Sequence, residues 1–412
     1  MRFRLLKKNF IVLLVVLLVF LVLFYVTFGT NDGSREETRK EATQAEGLNK
    51  FEFGTILSMR TSVYDSNYKQ LIQNGEHFPF EPEMAIVVQV HNRPAYLQML
   101  IRSLQKVEGI HKALVIFSHD YFSEEISNMV KEITFCKVLQ IYFPYSTQLY
   151  PSEFPGQDPN DCPRDAAKEE ALRTGCLNAE HPDSYGHYRE ASITQTKHHW
   201  WWKLHFVFER VKVLQGYKGF VVFIEEDNYL LPDFHHYFKS MVEHRKTSCG
   251  DCDVLALGNH KGLSGFRELS TKTETAGWLS TKHNIGMGIS RELYYKLMGC
   301  NKEFCVYDDY NWDWTLQNLS GTCISKPLKV LVAQGSRVLH TGDCGLHQKE
   351  ACRPEEAQRR VDEALREAES ALFPSTLSLT EQGPVEHQPH MKNGGWGDVR
   401  DHTLCINYAS RL

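Results

Sequence analysis

Three consecutive carboxylates, Glu225, Glu226 and Asp227, are the side chains whose type and spacing most clearly indicate chemistry. They directly follow an apolar run at 220–224 that predicts a buried strand. Open α/β sheets bind their ligands beyond the carboxyl ends of such strands. Because clustered carboxylates repel one another, a positive charge must offset them, and a divalent ion such as Mn²⁺ or Mg²⁺ would do so while bridging to phosphate oxygens. The alternative is an acidic surface turn, but the apolar strand favours a metal site.

A second acidic group consists of Asp308, Asp309 and Asp313, and aromatic residues stand between and beside them. If this stretch is helical, Asp309 and Asp313 are four residues apart on one face. Paired carboxylates raise one another's pKa, which suits a general base that must take a proton near neutral pH. Aromatic rings beside carboxylates also suit sugars, which have apolar C–H faces and hydroxyl groups that need acceptors. Acidic residues that begin a helix and interact favourably with its dipole explain the pattern equally well.

His340 is a weaker candidate, because it simply ends a strand-like run at 337–339. Taken alone, a histidine in this position is more often structural than a ligand. The run of Trp200, Trp201 and Trp202 lies in a predicted helix and is likewise typical of core packing.

Strand and helix patterns alternate from residue 84 onwards, which predicts a parallel sheet with helices on both faces. Pro94 suits the first turn of one helix, and Ser123 is a plausible N-cap of the next. The first strand is not followed by G-x-G-x-x-G, which argues against a dinucleotide-binding domain. The sequence predicts strands at 84–90, 113–117, 138–143, 220–224, 253–257 and 285–289, and helices at 94–107, 123–133, 195–213, 232–246, 291–299 and 355–370.

The N-terminal region predicts a membrane anchor. Residues 10–26 are unbroken apolar sequence, long enough as a helix to span a bilayer, and four basic residues precede them. A cleaved signal peptide is the alternative, but it would end in small residues, whereas Phe24, Tyr25 and Phe28 are bulky. The organisation predicted is a cytoplasmic tail at 1–8, a transmembrane anchor at 9–29, a polar stem at 30–80 and a lumenal folded domain at 81–412.

Eleven cysteines are typical of a protein from an oxidising compartment. If neighbours in sequence pair, Cys305 and Cys405 are left to close a long loop, and Cys136 stays free in an apolar neighbourhood. The sequence alone leaves this connectivity open. A zinc or redox site at the Cys249 and Cys252 pair is disfavoured, since no second pair follows at zinc-ribbon spacing. The neighbouring pairs are Cys162 with Cys176, Cys249 with Cys252, Cys300 with Cys323, and Cys344 with Cys352.

The charge distribution excludes one class of partner. The formal net charge is −5, and no basic block follows the first residues of the chain. Nucleic-acid binding is therefore not expected.

Several long stretches resemble the N-acetylglucosaminyltransferase II family. The resemblance extends over nearly the whole of 84–408, and runs of this length are highly specific. The stretches that carry it are VQVHNRP at 88–94, FSHD at 117–120, QTKHHWWWKLH at 195–205, EED at 225–227, YDDYNWDW at 307–314 and KNGGWGD at 392–398.

This resemblance implies a GT-A glycosyltransferase fold, an α/β fold with a Rossmann-like nucleotide-sugar half and a mixed-sheet acceptor half. The implied reaction is an inverting transfer of GlcNAc from UDP-GlcNAc, with Mn²⁺ as the usual ion. The acceptor would be O2 of the α1,6-arm mannose of an N-glycan that already carries GlcNAc on its α1,3 arm. The resemblance also implies a single-pass type II protein of the Golgi membrane, with 81–412 as its catalytic domain. It leaves the oligomeric state open, a homodimer included.

The resemblance also implies roles for particular residues. Asp227 and His340 would be metal ligands, which reverses the structural interpretation of His340, and Asp313 would be the catalytic base. One departure is Asn228, where relatives often carry histidine. The neighbouring cysteine pairs agree with the family. Donor-binding positions would be Gln89, Arg93, Asp120, Glu225, Glu226 and Asp227, and acceptor-binding positions Arg164, Asp183, Asn284, Tyr310 and Trp312.

Two alternative functions stay open at this point. One is a related enzyme, such as N-acetylglucosaminyltransferase I, with a different mannose acceptor. The other is a lumenal glycan-binding protein without turnover, although the complete set of metal ligands and base argues against it.

Overall fold

The computed structural model describes residues 54–342, 344 and 352–411. Within these residues no helix combines the length and apolar character needed to cross a membrane. The predicted cytoplasmic tail, the anchor at 9–29 and the stem up to residue 53 lie outside the described residues.

Eleven strands are found in the described part of the chain. Those of the first half are β1 (Met84–Val90), β2 (Ala113–His119), β3 (Lys137–Tyr142), β4 (Val221–Glu225) and β5 (Asn228–Leu230). Those of the second half are β6 (Val254–Ala256), β7 (Lys272–Gly277), β8 (Met287–Ile289), β9 (Lys329–Ala333), β10 (Val338–His340) and β11 (Ser378–Gln382).

Thirteen α-helices accompany these strands in the same described ranges. The first seven are α1 (54–69), α2 (Pro94–Lys106), α3 (Glu124–Lys131), α4 (Lys168–Thr174), α5 (Ala191–His205), α6 (Phe234–Ser248) and α7 (Phe266–Leu269). The others are α8 (Ser280–His283), α9 (Arg291–Met298), α10 (Asn301–Val306), α11 (Trp312–Thr322), α12 (Pro354–Ala368) and α13 (Val399–Arg411).

Nine of the strands form one mixed sheet in the order β11-β7-β9-β6-β8-β4-β1-β2-β3, and β10 pairs with β5 in a separate two-stranded sheet. Strands β1 to β4 run parallel, which confirms the parallel sheet predicted from the alternating pattern. Beyond β4 the sheet is mixed, because β8 runs antiparallel to both β4 and β6.

The order of β1 to β4 creates a crevice for ligands. The chain runs from β1 outwards to β2 and β3, and then returns to place β4 on the other side of β1. The loops that leave β1 and β4 therefore meet at this change of direction, and such a switch point is where open α/β sheets bind ligands. Gln89 near the end of β1 is the register partner of Glu225 at the end of β4.

Helix α5 covers one face of this sheet with aromatic side chains. Trp200, Trp201 and Trp202 are all buried, which confirms their interpretation as core residues. Trp200 stacks on Trp312 of α11 with 4.3 Å between ring centroids, and Trp201 stacks on Phe304 of α10 at 3.9 Å. The helix predicted at 195–213 is shorter in the structure, since α5 ends at His205 and a π-helical turn, Phe206–Arg210, follows.

Residues 60–80, predicted as part of the stem, pack against the edge strand β3. The compact unit of the structure begins at Arg60. The Asn67 side chain donates to the Tyr142 carbonyl at 2.6 Å, and the Gln73 backbone exchanges hydrogen bonds with Val138. This segment therefore covers an edge that would otherwise expose unpaired backbone groups.

Five disulfides confirm the pairing suggested by sequence proximity. The four neighbouring pairs are bonded, and Cys305 joins Cys405 across 100 residues. Cys136 is free and buried. The bond between Cys249 and Cys252 also settles that pair as a structural bridge.

A buried charge network fastens the C-terminal helix α13 to α5. The Asp401 carboxylate accepts a hydrogen bond from Arg189 Nε at 2.7 Å and lies 2.9 Å from His198 Nε2. The other ring nitrogen of His198 lies 3.0 Å from the Tyr408 hydroxyl. All four side chains are buried, so the network is sealed from solvent.

Asp401→Ala should destabilise the fold strongly, because it removes the carboxylate bonded to the buried Arg189 guanidinium and leaves only Asp161, at 4.0 Å, to offset its charge. We expect a loss of about 3–5 kcal/mol in the free energy of unfolding, measured by urea denaturation. Glu292→Ala is the control, since Glu292 is an exposed acid whose pair with Lys296 should contribute less than about 1 kcal/mol. Equal effects of the two substitutions would contradict a structural role for the network.

Candidate active site

The acidic motif at the end of β4 forms a tight turn closed by the residue that follows it. The Asn228 side-chain oxygen accepts a hydrogen bond from the Glu225 backbone N–H at 3.1 Å. Asn228, where relatives often carry histidine, is buried and begins β5. Its amide therefore serves locally to hold the turn that presents the carboxylates.

The small β5–β10 sheet brings His340 to this turn. His340 is the register partner of Asn228 in the antiparallel ladder. The next residue, Thr341, donates from both its backbone N–H, at 2.9 Å, and its hydroxyl, at 2.6 Å, to the Asp227 carbonyl. Two segments far apart in sequence are thus fixed together by backbone hydrogen bonds.

Glu225, Asp227 and His340 form a group that fits a divalent metal ion. One ligand atom from each lies within 4.8 Å of the other two, and His340 Nε2 is 3.4 Å from Asp227 Oδ2. Two carboxylates and an imidazole suit ions such as Mn²⁺. The structure thus brings together Asp227 and His340, the two ligands expected from the sequence, and adds Glu225.

Space for the Asp227 carboxylate depends on a glycine. A Cβ atom added to Gly342 would lie only 2.1 Å from Asp227 Oδ2. The chain after β10 can pass this close to the carboxylate only because residue 342 has no side chain.

Glu226 has a different task from its neighbours, because its carboxylate joins the loops that follow β1 and β4. It accepts hydrogen bonds from Arg93 Nε at 2.8 Å and from the His91 backbone N–H at 2.9 Å. A second nitrogen of Arg93 donates to Asp227 Oδ2 at 2.8 Å. Arg93 therefore offsets the charge of two of the three carboxylates.

The pKa values reflect this crowding of charge. Burial, together with the charge of Asp227, raises the pKa of Glu225. Burial also acts to raise the pKa of Asp227, but the hydrogen bond from His340 and the charge of Arg93 outweigh it and hold this pKa below its ordinary value. The same bond to Asp227 raises the pKa of His340.

Asp313, the expected base, lies near the acidic group. Its carboxylate accepts hydrogen bonds from the Trp314 backbone N–H at 2.9 Å and from Asn284 Nδ2 at 3.2 Å. Burial raises the pKa of Asp313 to about 6, and the charges of Glu225 and Asp309 act in the same direction against these two donors. The influence of Glu225 indicates that Asp313 lies near enough to the metal-binding group for its charge to act on Asp313.

Asp309 and Asp313 would share one helical face only if the stretch between them were helical, and this condition is not met, because α11 begins only at Trp312. Asp309 lies in the preceding loop, fully buried, and its carboxylate accepts from the backbone N–H groups of Asn311, at 2.9 Å, and Asn393, at 3.1 Å. The bond from Asn311 holds the chain in a local turn before the helix, and the bond from Asn393 ties this turn to a distant loop. Asp309 thus joins two loops and leaves Asp313 as the carboxylate in the cleft.

Asn284 and Tyr310, both expected at the acceptor site, lie beside Asp313. Asn284 bonds Asp313 directly, and its side-chain oxygen lies 3.1 Å from His260 Nε2. Burial raises the pKa of Tyr310, and the charges of Asp309, Asp313 and Glu190 contribute to that shift. Tyr310 is therefore near both the candidate base and Glu190.

The other three expected acceptor residues are engaged within the protein. Arg164 is half exposed and pairs with Glu190 at 2.6 Å, which places it at the margin of the cleft. Asp183 is buried, and its carboxylate accepts backbone hydrogen bonds, including one from Gly395 at 2.6 Å. Trp312 is stacked in the core, as described above.

Gln89 and Asp120, expected on the nucleotide side, lie at the ends of neighbouring strands. Asp120 is buried and lies 2.6 Å from His91 Nδ1 and 3.3 Å from His199 Nδ1. Burial acts to raise the pKa of Asp120, but the charges of these two histidines hold it well below its ordinary value. Gln89 accepts a hydrogen bond from the Lys203 ammonium group.

His199 and Lys203 are site residues that the sequence analysis missed. Gln195, His199 and Lys203 are spaced four residues apart along α5 and therefore lie on one face of the helix. That polar stripe is the signal that indicates them. It points at the carboxyl ends of β1 and β2, where the three side chains find their partners.

Comparison with protein families identifies the chain. The family model described as N-acetylglucosaminyltransferase II (MGAT2) matches residues 60–405. The chain belongs to the N-acetylglucosaminyltransferase II family.

Named relatives within the family are similar along most of their length. The alpha-1,6-mannosyl-glycoprotein 2-beta-N-acetylglucosaminyltransferase of Mus musculus is 52% identical over 355 residues, which cover 85% of this chain and 80% of the relative. The protein of the same name from Homo sapiens is 51% identical, over 85% and 79%. The one from Arabidopsis thaliana is 33% identical, over 82% and 78%.

Solved structures resemble the fold only distantly. A mannosyltransferase from Pyrobaculum calidifontis, in complex with GDP-Man and Mn²⁺, aligns with a TM-score of 0.32 and 10% identity over 79% of this chain and 86% of that one.

Gly342→Ala should weaken Mn²⁺ binding, because the added Cβ would displace the Asp227 carboxylate. We expect the Kd for Mn²⁺, measured by calorimetry without nucleotide, to rise at least about tenfold. Gly250→Ala is the matched control, since a Cβ there meets only the Lys246 carbonyl oxygen, at 3.9 Å. Unchanged Mn²⁺ affinity in Gly342→Ala would remove Asp227 from the metal site.

Proposed function

We propose that this chain is an inverting, metal-dependent glycosyltransferase that moves GlcNAc from UDP-GlcNAc to a mannose of an N-glycan. The acceptor atom is O2 of the α1,6-arm mannose, in a glycan that already carries GlcNAc on its α1,3 arm. Family membership and the printed names of the mouse and human relatives support this assignment. The observation that carries it is the metal-binding group of Glu225, Asp227 and His340, near which Asp313 has a raised pKa.

The division of labour within the fold follows from the sheet. The parallel strands β1 to β4 form the Rossmann-like half, and their switch-point crevice takes the nucleotide sugar. The mixed part of the sheet, with α11 and the loops beside it, forms the acceptor half. This arrangement is that of a GT-A glycosyltransferase.

Asp313 is suited to act as the base. Inversion requires a single displacement, so one proton acceptor beside the attacking hydroxyl is enough and no covalent sugar intermediate forms. A pKa raised to about 6 leaves the carboxylate ionised near neutral pH yet more basic than an ordinary aspartate. The Asn284 amide holds one oxygen in place, and the Trp314 backbone N–H holds the other.

The opposite side of the cleft receives the diphosphate. The donor set of Glu225, Asp227 and His340 fits Mn²⁺, and the bound ion would stabilise negative charge on the departing diphosphate. Arg93 adds a fixed positive charge beside Asp227 and the neighbouring Glu226.

We also propose that the enzyme works in the Golgi lumen as a single-pass type II membrane protein. The apolar run at 10–26 with basic residues before it supports the anchor. Five disulfides among the described residues support an oxidising compartment.

The proposed reaction is tested by incubating the chain with labelled UDP-GlcNAc and defined N-glycan acceptors. We expect Mn²⁺-dependent transfer that stops on addition of a chelator, and transfer only to the glycan that carries GlcNAc on its α1,3 arm. Transfer to a glycan lacking that GlcNAc would favour a related enzyme with another mannose acceptor. Glycan binding without UDP release would favour a non-catalytic binding protein.

Asp313→Asn should abolish transfer while UDP binding is retained, because the amide cannot accept the proton. We expect kcat to fall by at least about a hundredfold, with the Kd for UDP unchanged in calorimetry. The substitution should not weaken the fold. Ionisation of a buried carboxylate with a raised pKa destabilises the protein above about pH 6, and the uncharged amide avoids this cost. Asp251→Asn, at an exposed acid, is the control, and near-normal turnover of Asp313→Asn would exclude Asp313 as the base.

The pH dependence of transfer should follow the protonation of Asp313. Transfer should decline as the pH falls through about 6, because the protonated carboxyl cannot act as a base. Asn284→Ala removes a donor that lowers this pKa, so the acidic limb of the kcat profile should move to higher pH. A limb that stays in place or moves to lower pH, at the same Mn²⁺ concentration, contradicts the assignment.

A further inference from the structure

A row of polar side chains crosses the carboxyl edge of the parallel strands on the face covered by α5. Ser118 in β2, Gln89 in β1 and Glu225 in β4 are register partners on adjacent strands. The polar row therefore lies between the apolar core and the crevice that takes the donor. Two residues earlier on the same strands, the same face belongs to the core: Ile116, Val87 and Phe223.

Helix α5 places two polar side chains over this row. His199 Nε2 lies 2.8 Å from the Ser118 hydroxyl, and one turn later the Lys203 ammonium group donates to Gln89 Oε1. The two contacts repeat the spacing of the helix, so each helix residue serves one strand. Glu225, at the end of the row, belongs to the candidate metal site.

Burial of the Lys203 side chain is unfavourable for the stability of the fold. It is fully enclosed, and among the described residues its ammonium group forms no direct ion pair, since its hydrogen-bond partner is the neutral amide of Gln89. Burial lowers the pKa of Lys203 to about 7, although the charges of Glu225 and Asp120 oppose that shift. A buried ammonium group with a neutral partner is unfavourable, so its presence calls for a role beyond packing.

The chemistry of this contact fixes the orientation of Gln89. Lys203 Nζ donates to Gln89 Oε1, so the amide oxygen of Gln89 faces Lys203 and the amide nitrogen faces the other way. Gln89 is the one partly exposed residue of β1, whereas Lys203 is sealed beneath it. In the part of the chain that the structure describes, the Gln89 side chain makes no other hydrogen bond. Its N–H₂ group is therefore left to donate into the crevice.

We propose that Lys203 is a positioning residue for donor binding, which acts by turning the Gln89 amide so that its N–H₂ group donates to an oxygen of the nucleotide. This inference rests on the proposed function, since it takes the nucleotide sugar as the ligand of the crevice. The oxygen belongs either to the uracil carbonyls or to the diphosphate, and both are acceptors that suit an amide donor.

A competing role for Lys203 is that of a counter-charge to Glu225 alone. In that case its loss would alter metal binding and leave the contact between Gln89 and the nucleotide unaffected. The two roles are separated by measuring Mn²⁺ affinity without nucleotide and UDP affinity at saturating Mn²⁺.

The test uses Lys203→Met, which keeps the volume and removes the donor, alone and combined with Gln89→Leu. We expect Lys203→Met to raise the Kd for UDP and the KM for UDP-GlcNAc about tenfold while the KM for the glycan acceptor is unchanged. In the Gln89→Leu background the same substitution should change the Kd for UDP less than about twofold, because Lys203 acts through Gln89. Separate titrations with uridine and with Mn²⁺-diphosphate identify which oxygen is lost.

Lys197→Met is the matched control. Lys197 is a buried lysine of the same helix, but its ammonium group donates to the carbonyls of Tyr307 and Asp309, both at 2.9 Å. We expect its substitution to leave the Kd for UDP unchanged.

Three results would overturn the proposal: wild-type affinity for UDP in Lys203→Met, an equal loss with or without Gln89, or a loss confined to Mn²⁺ binding. If Lys203→Met does not fold, as judged by thermal unfolding, Gln89→Glu decides, since it keeps a partner for Lys203 but removes the N–H₂ donor. Wild-type UDP affinity in Gln89→Glu overturns the proposal. A wild-type chain that binds UDP and transfers no GlcNAc would instead refute the proposed function.

Discussion

Repulsion among the carboxylates at the end of β4 is the constraint on which the rest of the site depends. Glu225, Glu226 and Asp227 are consecutive and at most partly exposed, so solvent screens their charges poorly. Arg93 offsets part of this repulsion with a fixed positive charge, because it contacts two of the carboxylates. The imidazole of His340 contacts Asp227 as well. The remaining negative charge is what attracts a divalent ion and, with it, a diphosphate.

The fold meets this constraint by joining segments that are distant in sequence. The switch between β1 and β4 opens the crevice, and Glu226 holds together the two loops that leave it. The β5–β10 ladder then supplies His340, and Thr341 bonds the Asp227 carbonyl across 114 residues. Because these contacts are mostly backbone hydrogen bonds, the site should be largely formed before the ion arrives.

Asp313 is poised by a different use of acidic residues. The carboxylates of Asp308 and Asp309 accept hydrogen bonds from backbone N–H groups of neighbouring loops, including those of Trp396 and Asn393. They hold the loop that leads into α11, and only Asp313 presents its carboxylate to the cleft with a raised pKa. Three similar aspartates thus have two kinds of role, which their hydrogen-bond partners determine.

Helices and strands with strong hydrophobic patterns could be predicted from the sequence alone. The apolar runs of β1 to β4 and β6, the Ser123 cap of α3 and the buried tryptophans of α5 follow from periodicity and side-chain chemistry, and all are confirmed. The strands β7 and β11 do not follow from such patterns, because they contain few large apolar residues. Local patterns do not decide between a structural and a functional role for Asp313 and His340. The resemblance to a family supplied that assignment.

Which side chains contact one another depends on the tertiary structure. It placed Glu225 with Asp227 and His340, gave Asp183 and Asp309 to backbone donors, and put Lys203 beneath Gln89. The physical reason is that periodicity reports which face of an element is buried, whereas the register between strands and the partner of a buried polar group depend on residues far away along the chain. A carboxylate that holds a loop and a carboxylate that binds an ion cannot be distinguished from the sequence alone.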